Sequence, residues 1–207
     1  MDRLKQQILI VEDMPNVLEF LQVTLSFNGF PVTTARNGQE ALDLIFIQPP
    51  SVVITDILMP KMDGYNLAYK LRTQPATKNI PIIFLSATYV SPEDKTFALS
   101  LGAVRFLEKP VDTEELLVTV AEALSSSGQK DRDPISEYQF LQGYRDRLEV
   151  KLRHKNTQIA RTERLLETIA EPQRRDFESL LEEAHLQKKE IQLELSELFS
   201  ILKEPNN

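Results

Sequence analysis

The sequence predicts an α/β fold, a doubly wound five-stranded parallel sheet, followed by an all-α helical hairpin. Three observations carry that reading. Between residues 7 and 124, short runs of Val, Ile, Leu and Phe alternate with helix-like segments, and strands separated by helices argue a parallel sheet covered on both faces. The composition then breaks at Ser125-Ser126-Ser127-Gly128-Gln129-Lys130-Asp131-Arg132-Asp133-Pro134, where small and charged residues closed by a proline read as a linker. Beyond it no glycine follows Gly143, and apolar residues recur at heptad-like spacing. The predicted division is an α/β domain over 1–124, a linker over 125–134 and a helical hairpin over 135–204.

Taken in order, Gln7–Val11 is a short β-branched run with a turn after it, the first strand. Pro15 suits a first helical turn, and Val17, Leu18, Leu21 and Leu25 repeat at helical spacing until Gly29 stops them. Phe30–Ala35 is the second strand. Asn37 caps a helix carrying Ala41, Leu42 and Ile45, which ends before Pro49-Pro50. Ser51–Thr55 is an apolar third strand that runs into Asp56. A helix follows Gly64, Ile80–Leu85 is the fourth strand, and Ser91–Leu101 the fourth helix. After Gly102 come the fifth strand, Val104–Leu107, and a last helix begun by Asp112.

In the tail, Asp133 reads as an N-cap with Pro134 at the first helical position. Phe177, Leu181, Ala184, Lys188, Ile191, Leu195, Leu198 and Leu202 alternate spacings of four and three. An earlier seam over Leu141, Arg145, Leu148, Leu152, Lys155, Ile159, Thr162, Leu166 and Ile169 fits less closely. The two registers do not join across Pro172, which disfavours helix at Glu171, so two helices meet near Ala170–Pro172. Residues 135–169 carry seven Lys/Arg against five acids, and 176–204 carry three against eight. A basic helix beside an acidic one suits flanking pairing, and two long seams suggest homodimerisation into a four-helix bundle.

Bulk properties exclude several classes. A net charge of −7 draws the chain to neither nucleic acid nor an anionic membrane. The absence of cysteine removes disulfides, thiolate nucleophiles and cysteine-based zinc sites. Neither a signal peptide nor a membrane-spanning run is visible, so a soluble cytoplasmic protein is expected.

Chemistry gathers where the strands end. Glu12-Asp13, Asp56, Ser86 and Lys109 each follow an apolar run, and an open parallel sheet builds its sites along that edge. A carboxylate can take a phosphoryl group as an acyl phosphate. Mg²⁺ favours carboxylate, phosphate and water oxygens, which Glu12, Asp13 and Asp56 can supply in part. Lys109 adds a point positive charge and Ser86 a hydroxyl.

Together with Asp56-Ile57-Leu58-Met59-Pro60-Lys61-Met62-Asp63-Gly64, Ser86-Ala87, Phe106 and Lys109-Pro110, these motifs make residues 1–124 resemble the receiver domain of two-component response regulators, akin to the single-domain chemotaxis receiver. The resemblance implies a flavodoxin-like strand order 2-1-3-4-5. It implies that Asp56 is the phosphoacceptor, with Glu12 and Asp13 on the Mg²⁺ side and the Leu58 backbone carbonyl as a further ligand. Lys109 would bind the phosphoryl group, often across a cis bond to Pro110, and Ser86 and Phe106 would form the switch pair. The implied partner is a sensor histidine kinase or phosphotransfer protein. The implied chemistry is acceptance and slow self-catalysed loss of phosphate, not enzymatic turnover.

Residues 130–207 resemble no output domain. A helix-turn-helix with a basic face is absent, which argues against DNA as partner, and output by protein–protein contact or dimerisation is expected. Two rival readings are a phosphorelay protein using His154 on the hairpin and a diverged DNA-binding regulator using the basic residues of 145–164.

Overall fold

Five short apolar runs become the parallel strands of one sheet: β1 (Ile8–Val11), β2 (Val32–Ala35), β3 (Val52–Asp56), β4 (Ile82–Ser86) and β5 (Ala103–Glu108). The computed structural model describes residues 6–86, 92–125 and 135–203, and the chain divides into two compact units, Met1–Ile135 and Ser136–Asn207. Strand order in the first unit is β2-β1-β3-β4-β5, the flavodoxin-like order expected. β1, β3 and β4 are buried at every position. That explains why they read as unbroken apolar runs and not as alternating ones. Register sets Val11 opposite Thr55, Asp56 opposite Leu85, and Ser86 opposite Glu108. The residues that end these strands therefore emerge along one edge.

Five helices cover the sheet: α1 (Pro15–Phe27), α2 (Gly38–Ile47), α3 (Gly64–Thr73), α4 (Pro92–Ser100) and α5 (Thr113–Ser125). Ile8, Ile10, Val52, Ile54, Ile83 and Leu85 form one core with Leu21 and Leu25 of α1 and Leu116, Val120 and Ala123 of α5. Alternate strand residues point the other way. There the Tyr65 ring of α3 lies 5.5 Å from Phe84 of β4 and 5.0 Å, edge-on, from Phe97 of α4. Asn37 and Asp63 cap α2 and α3, accepting from the Glu40 and Asn66 N–H groups at 3.0 and 2.9 Å. Asp112 accepts from the Glu115 N–H at 2.9 Å ahead of α5. Ser91, expected to open α4, lies outside the described residues.

One buried charge escaped sequence reading. Arg72, in the last turn of α3, is 4% exposed. One of its terminal nitrogens donates to the Lys78 and Ile80 carbonyls, both at 2.9 Å, and the other to the Gly102 carbonyl at 3.0 Å. Ile80 is thus not the first strand residue but the last anchor before β4.

The second unit is a helical hairpin, α6 (Glu137–Leu166) and α7 (Glu171–Lys203), turned by residues 167–170. Tyr144 pairs with Glu194 (2.5 Å), Lys155 with Gln187 (2.7 Å), and His185 lies 3.8 Å from Glu163. Partners move in opposite directions along the two helices, so they run antiparallel. Every predicted α7 seam residue from Phe177 to Leu202 is buried or half-buried.

Three details correct the sequence reading. Asp133 and Pro134 lie outside the described residues, and the helix is capped at Ser136. Its hydroxyl accepts from the Gln139 N–H while the Gln139 side chain returns to the Ser136 N–H, a complete capping box. Early in α6, Phe140 and Tyr144 are buried and Leu141 and Arg145 are not. Spacings of four carry the seam through Phe140, Tyr144 and Leu148, because a straight helix drifts off a strict heptad. Arg145 turns outward to Asp146 at 2.6 Å. Finally, Pro172 does not exclude helix at Glu171: it sits in the first turn of α7, where its missing N–H leaves no bond unmade.

Candidate functional site

Glu12, Asp13, Asp56, Ser86 and Lys109 are each set by the end of a strand. Glu12 and Asp13 follow β1 directly, and the Glu12 N–H donates to the Ala35 carbonyl of β2 at 3.0 Å. Asp56 is the last residue of β3 and Ser86 the last of β4, both buried. Lys109 follows β5, and its N–H donates to the Ser86 carbonyl at 2.7 Å. The Lys109–Pro110 bond is cis.

These backbone positions bring the charges together. The Lys109 ammonium lies 2.6 Å from Glu12 Oε2 and 3.0 Å from Asp56 Oδ1. One ligand atom from each of Glu12, Asp13 and Asp56 falls within 4.8 Å of the others. Glu12 is fully buried. Burial pushes the Asp56 carboxyl up to about 6; Lys109 opposes that rise and Glu12 adds to it. Burial alone would lower the Lys109 pKa, but Asp56 and Glu12 outweigh it and the pKa is raised. One ammonium thus faces three acidic side chains. The hard-oxygen donor set fits Mg²⁺.

Leu58 is half-exposed in the loop after β3. Phe106, on β5 and opposite Phe84, is half-buried. Its ring lies 5.8 Å from the Lys95 ammonium of α4, which also pairs with Glu108 at 2.8 Å. Neither Lys95 nor Arg72 carried a signal in sequence, since both look like ordinary helix-surface cations. Ala87, beside Ser86, lies outside the described residues. His154 is exposed on α6, well separated in sequence from these groups.

The sequence signature of the response regulator receiver domain matches residues 8–121. The chain belongs to this family. Response regulator ArlR of Staphylococcus aureus is 37% identical over 125 residues, covering 60% of this chain and 55% of ArlR. The chemotaxis response regulator CheY4 of Vibrio cholerae shares 34% identity at a TM-score of 0.54, over 57% of this chain and 98% of that one. The receiver domain of a signal transduction histidine kinase from Syntrophus aciditrophicus shares 36% identity at 0.55, over 61% and 95%. The chain spans about half the length of most curated relatives it matches. Receiver domains are generally non-enzymatic signalling domains that interact with sensor histidine kinases and bind Mg²⁺ through an acidic cluster. Among the described residues no helix is long and apolar enough to cross a membrane.

Proposed function

We propose that this receiver takes a phosphoryl group on Asp56 from a partner histidine kinase and answers through protein–protein contact of its C-terminal hairpin. The observation that carries the first half is the Lys109 ammonium seated between Glu12 and Asp56 at the strand edge. An Asp56 oxygen attacks phosphorus, the new P–O bond forms, and the bond from phosphorus to the donor's nitrogen or oxygen breaks. The donor keeps that electron pair. Charge in this transition state spreads over the equatorial oxygens, so the protein's contribution is position and neutralisation. Lys109 supplies a fixed cation within reach of the phosphoryl oxygens, and Ser86, on the adjacent strand end, a hydroxyl donor. Glu12, Asp13, Asp56 and the Leu58 carbonyl would hold Mg²⁺, which neutralises phosphoryl charge when bound. Phe106 is the second member of the switch pair with Ser86.

Incubation with acetyl phosphate and Mg²⁺, followed by intact-mass measurement, tests this. Wild-type and His154→Ala chains should gain one phosphoryl group, and Asp56→Asn none. Incorporation that survives in Asp56→Asn and disappears in His154→Ala would move the acceptor to the hairpin.

For the second half, the seam residues Ile191, Leu195 and Leu198 are already buried within the chain. A second copy must therefore use residues outside the seam. Leu186, Leu193 and Ile201 are 60%, 58% and 52% exposed and lie seven and eight residues apart on one stripe of α7. The homodimer forms through that stripe. Sedimentation of the full chain with and without phosphodonor checks it: Leu186→Asp with Leu193→Asp should yield folded monomer. A wild-type monomer at high micromolar concentration in both conditions rules the dimer out.

A further inference from the structure

The segment Ile57–Asp63, between β3 and α3, follows Asp56 and carries the Leu58 carbonyl. Its inner end is tied down twice: the Ile57 N–H donates to the Leu85 carbonyl at 3.2 Å, and the Gly64 N–H to the Ile57 carbonyl at 2.9 Å. Its outer end turns sharply. The Met62 N–H reaches back to the Pro60 carbonyl at 2.8 Å, with Lys61 between them at φ 66°, a left-handed conformation unusual for a residue with a side chain.

Gly38, the first residue of α2, reaches this turn from a different element. Its N–H donates to the Met62 carbonyl at 2.9 Å. A Cβ at position 38 would lie 2.8 Å from Met62 Cγ, 2.9 Å from its carbonyl oxygen and 3.1 Å from its Cβ. The thioether arm can swing away, but the carbonyl belongs to backbone already held in a restricted turn. Even alanine at 38 must therefore push the loop, and Met62 lies only four positions beyond Leu58.

We propose that Gly38 is a positioning residue for the site: its bare Cα lets the turn seat against the start of α2 and so sets where the loop presents the Leu58 carbonyl. This rests on the reading of Asp56 as phosphoacceptor beside Mg²⁺.

The test compares Gly38→Ala with Gly29→Ala in the full chain. Gly29 has φ +85° with nothing within 4 Å of an added Cβ. Alanine there strains the backbone remote from the loop, a control for simple destabilisation. In metal-free protein, amide exchange at 58–62 should quicken in Gly38→Ala and stay unchanged in Gly29→Ala. By calorimetry, Mg²⁺ affinity of Gly38→Ala should fall about tenfold, as when other supports of metal ligands are removed. If Gly38→Ala does not fold, Met62→Ala serves instead: it strips the side chain that rests on Gly38 without a clash, and should weaken Mg²⁺ binding in the same direction. Wild-type loop exchange and Mg²⁺ affinity in Gly38→Ala, or wild-type affinity in Met62→Ala where it stands in, overturn the proposal. A wild-type chain that accepts no phosphoryl group refutes the functional reading instead. The two failures are separable because loop exchange is read without metal or donor.

Discussion

Replacing Asp56 with Asn should stabilise the metal-free protein, and the gain should depend on pH in a particular way. Asp56 has its pKa raised from 3.8 to about 6 by burial, against the pull of Lys109 and with the push of Glu12. A carboxyl whose folded pKa lies above its unfolded one makes the folded state bind more protons between those values. Stability therefore falls as pH rises from about 4 to about 6, and the penalty is fully present above that window. A rise of about two units at 1.36 kcal/mol each sets the penalty at roughly 3 kcal/mol. Asparagine keeps the shape and escapes the charge, so Asp56→Asn should gain up to that amount at pH 7.5, or roughly 5–10 °C in midpoint for a domain of this size. Urea unfolding of both chains in EDTA, from pH 4 to 7.5, measures it. The gap should close towards pH 4, and Mg²⁺ should narrow it at pH 7.5 by neutralising the wild-type cluster. An Asn variant no more stable than wild type at pH 7.5, or a gap of equal size at both ends of the range, would refute the reasoning.

Asp13→Ala should weaken Mg²⁺ binding, measured by calorimetry, with circular dichroism unchanged, because Asp13 is only half-buried beside the fully buried Glu12. In the hairpin, Ile191→Asp buries an unpaired carboxylate and should reduce α6–α7 stability by about 3–5 kcal/mol in urea titrations. Gln192→Asp, the next residue but exposed, should stay within about 0.5 kcal/mol. Arg72→Ala strips donors from three carbonyls and should cost about 2–4 kcal/mol of receiver stability, read as a lower urea midpoint, whereas Arg105→Ala, whose partner Glu122 is exposed, should cost less than about 1 kcal/mol.

The receiver was legible because its three central strands are buried on both faces and most of its candidate site residues stand at strand ends. Asp56 after Val52–Thr55 and Lys109 after β5 could be placed from apolar runs and punctuation alone. The resemblance added roles that periodicity does not carry, such as Leu58 as a ligand. Less legible was whatever depends on contacts across sequence. Arg72 reads as the solvent end of a helix, and only the fold shows the three carbonyls it meets. Gly38 follows a cap and looks like permissive punctuation, while its constraint comes from Met62, far along the chain. In α6 the apolar residues support two neighbouring registers, and aromatic Phe140 and Tyr144, stacked at 5.4 Å, decide between them. Lys155 reads only as a polar seam position, and the fold shows the Gln158 and Gln187 amides accepting from it at 2.8 and 2.7 Å. An amide suits a lysine whose pKa burial lowers.

The Arg72 clamp gives the sheet a tied end. By gripping the carbonyls of Ile80 and Gly102, it fastens β4 and β5 together just before each begins, while Ser86 and Phe106 lie near their far ends. Ser86 lies six positions beyond Ile80, at most about 20 Å at about 3.3 Å per position. The clamp therefore grips the strands at the end opposite Asp56 and Lys109. A guanidinium keeps its charge across the physiological range, so the pinned end is indifferent to the pH that titrates Asp56. The sheet thus has one end that titrates with Asp56 and another that does not.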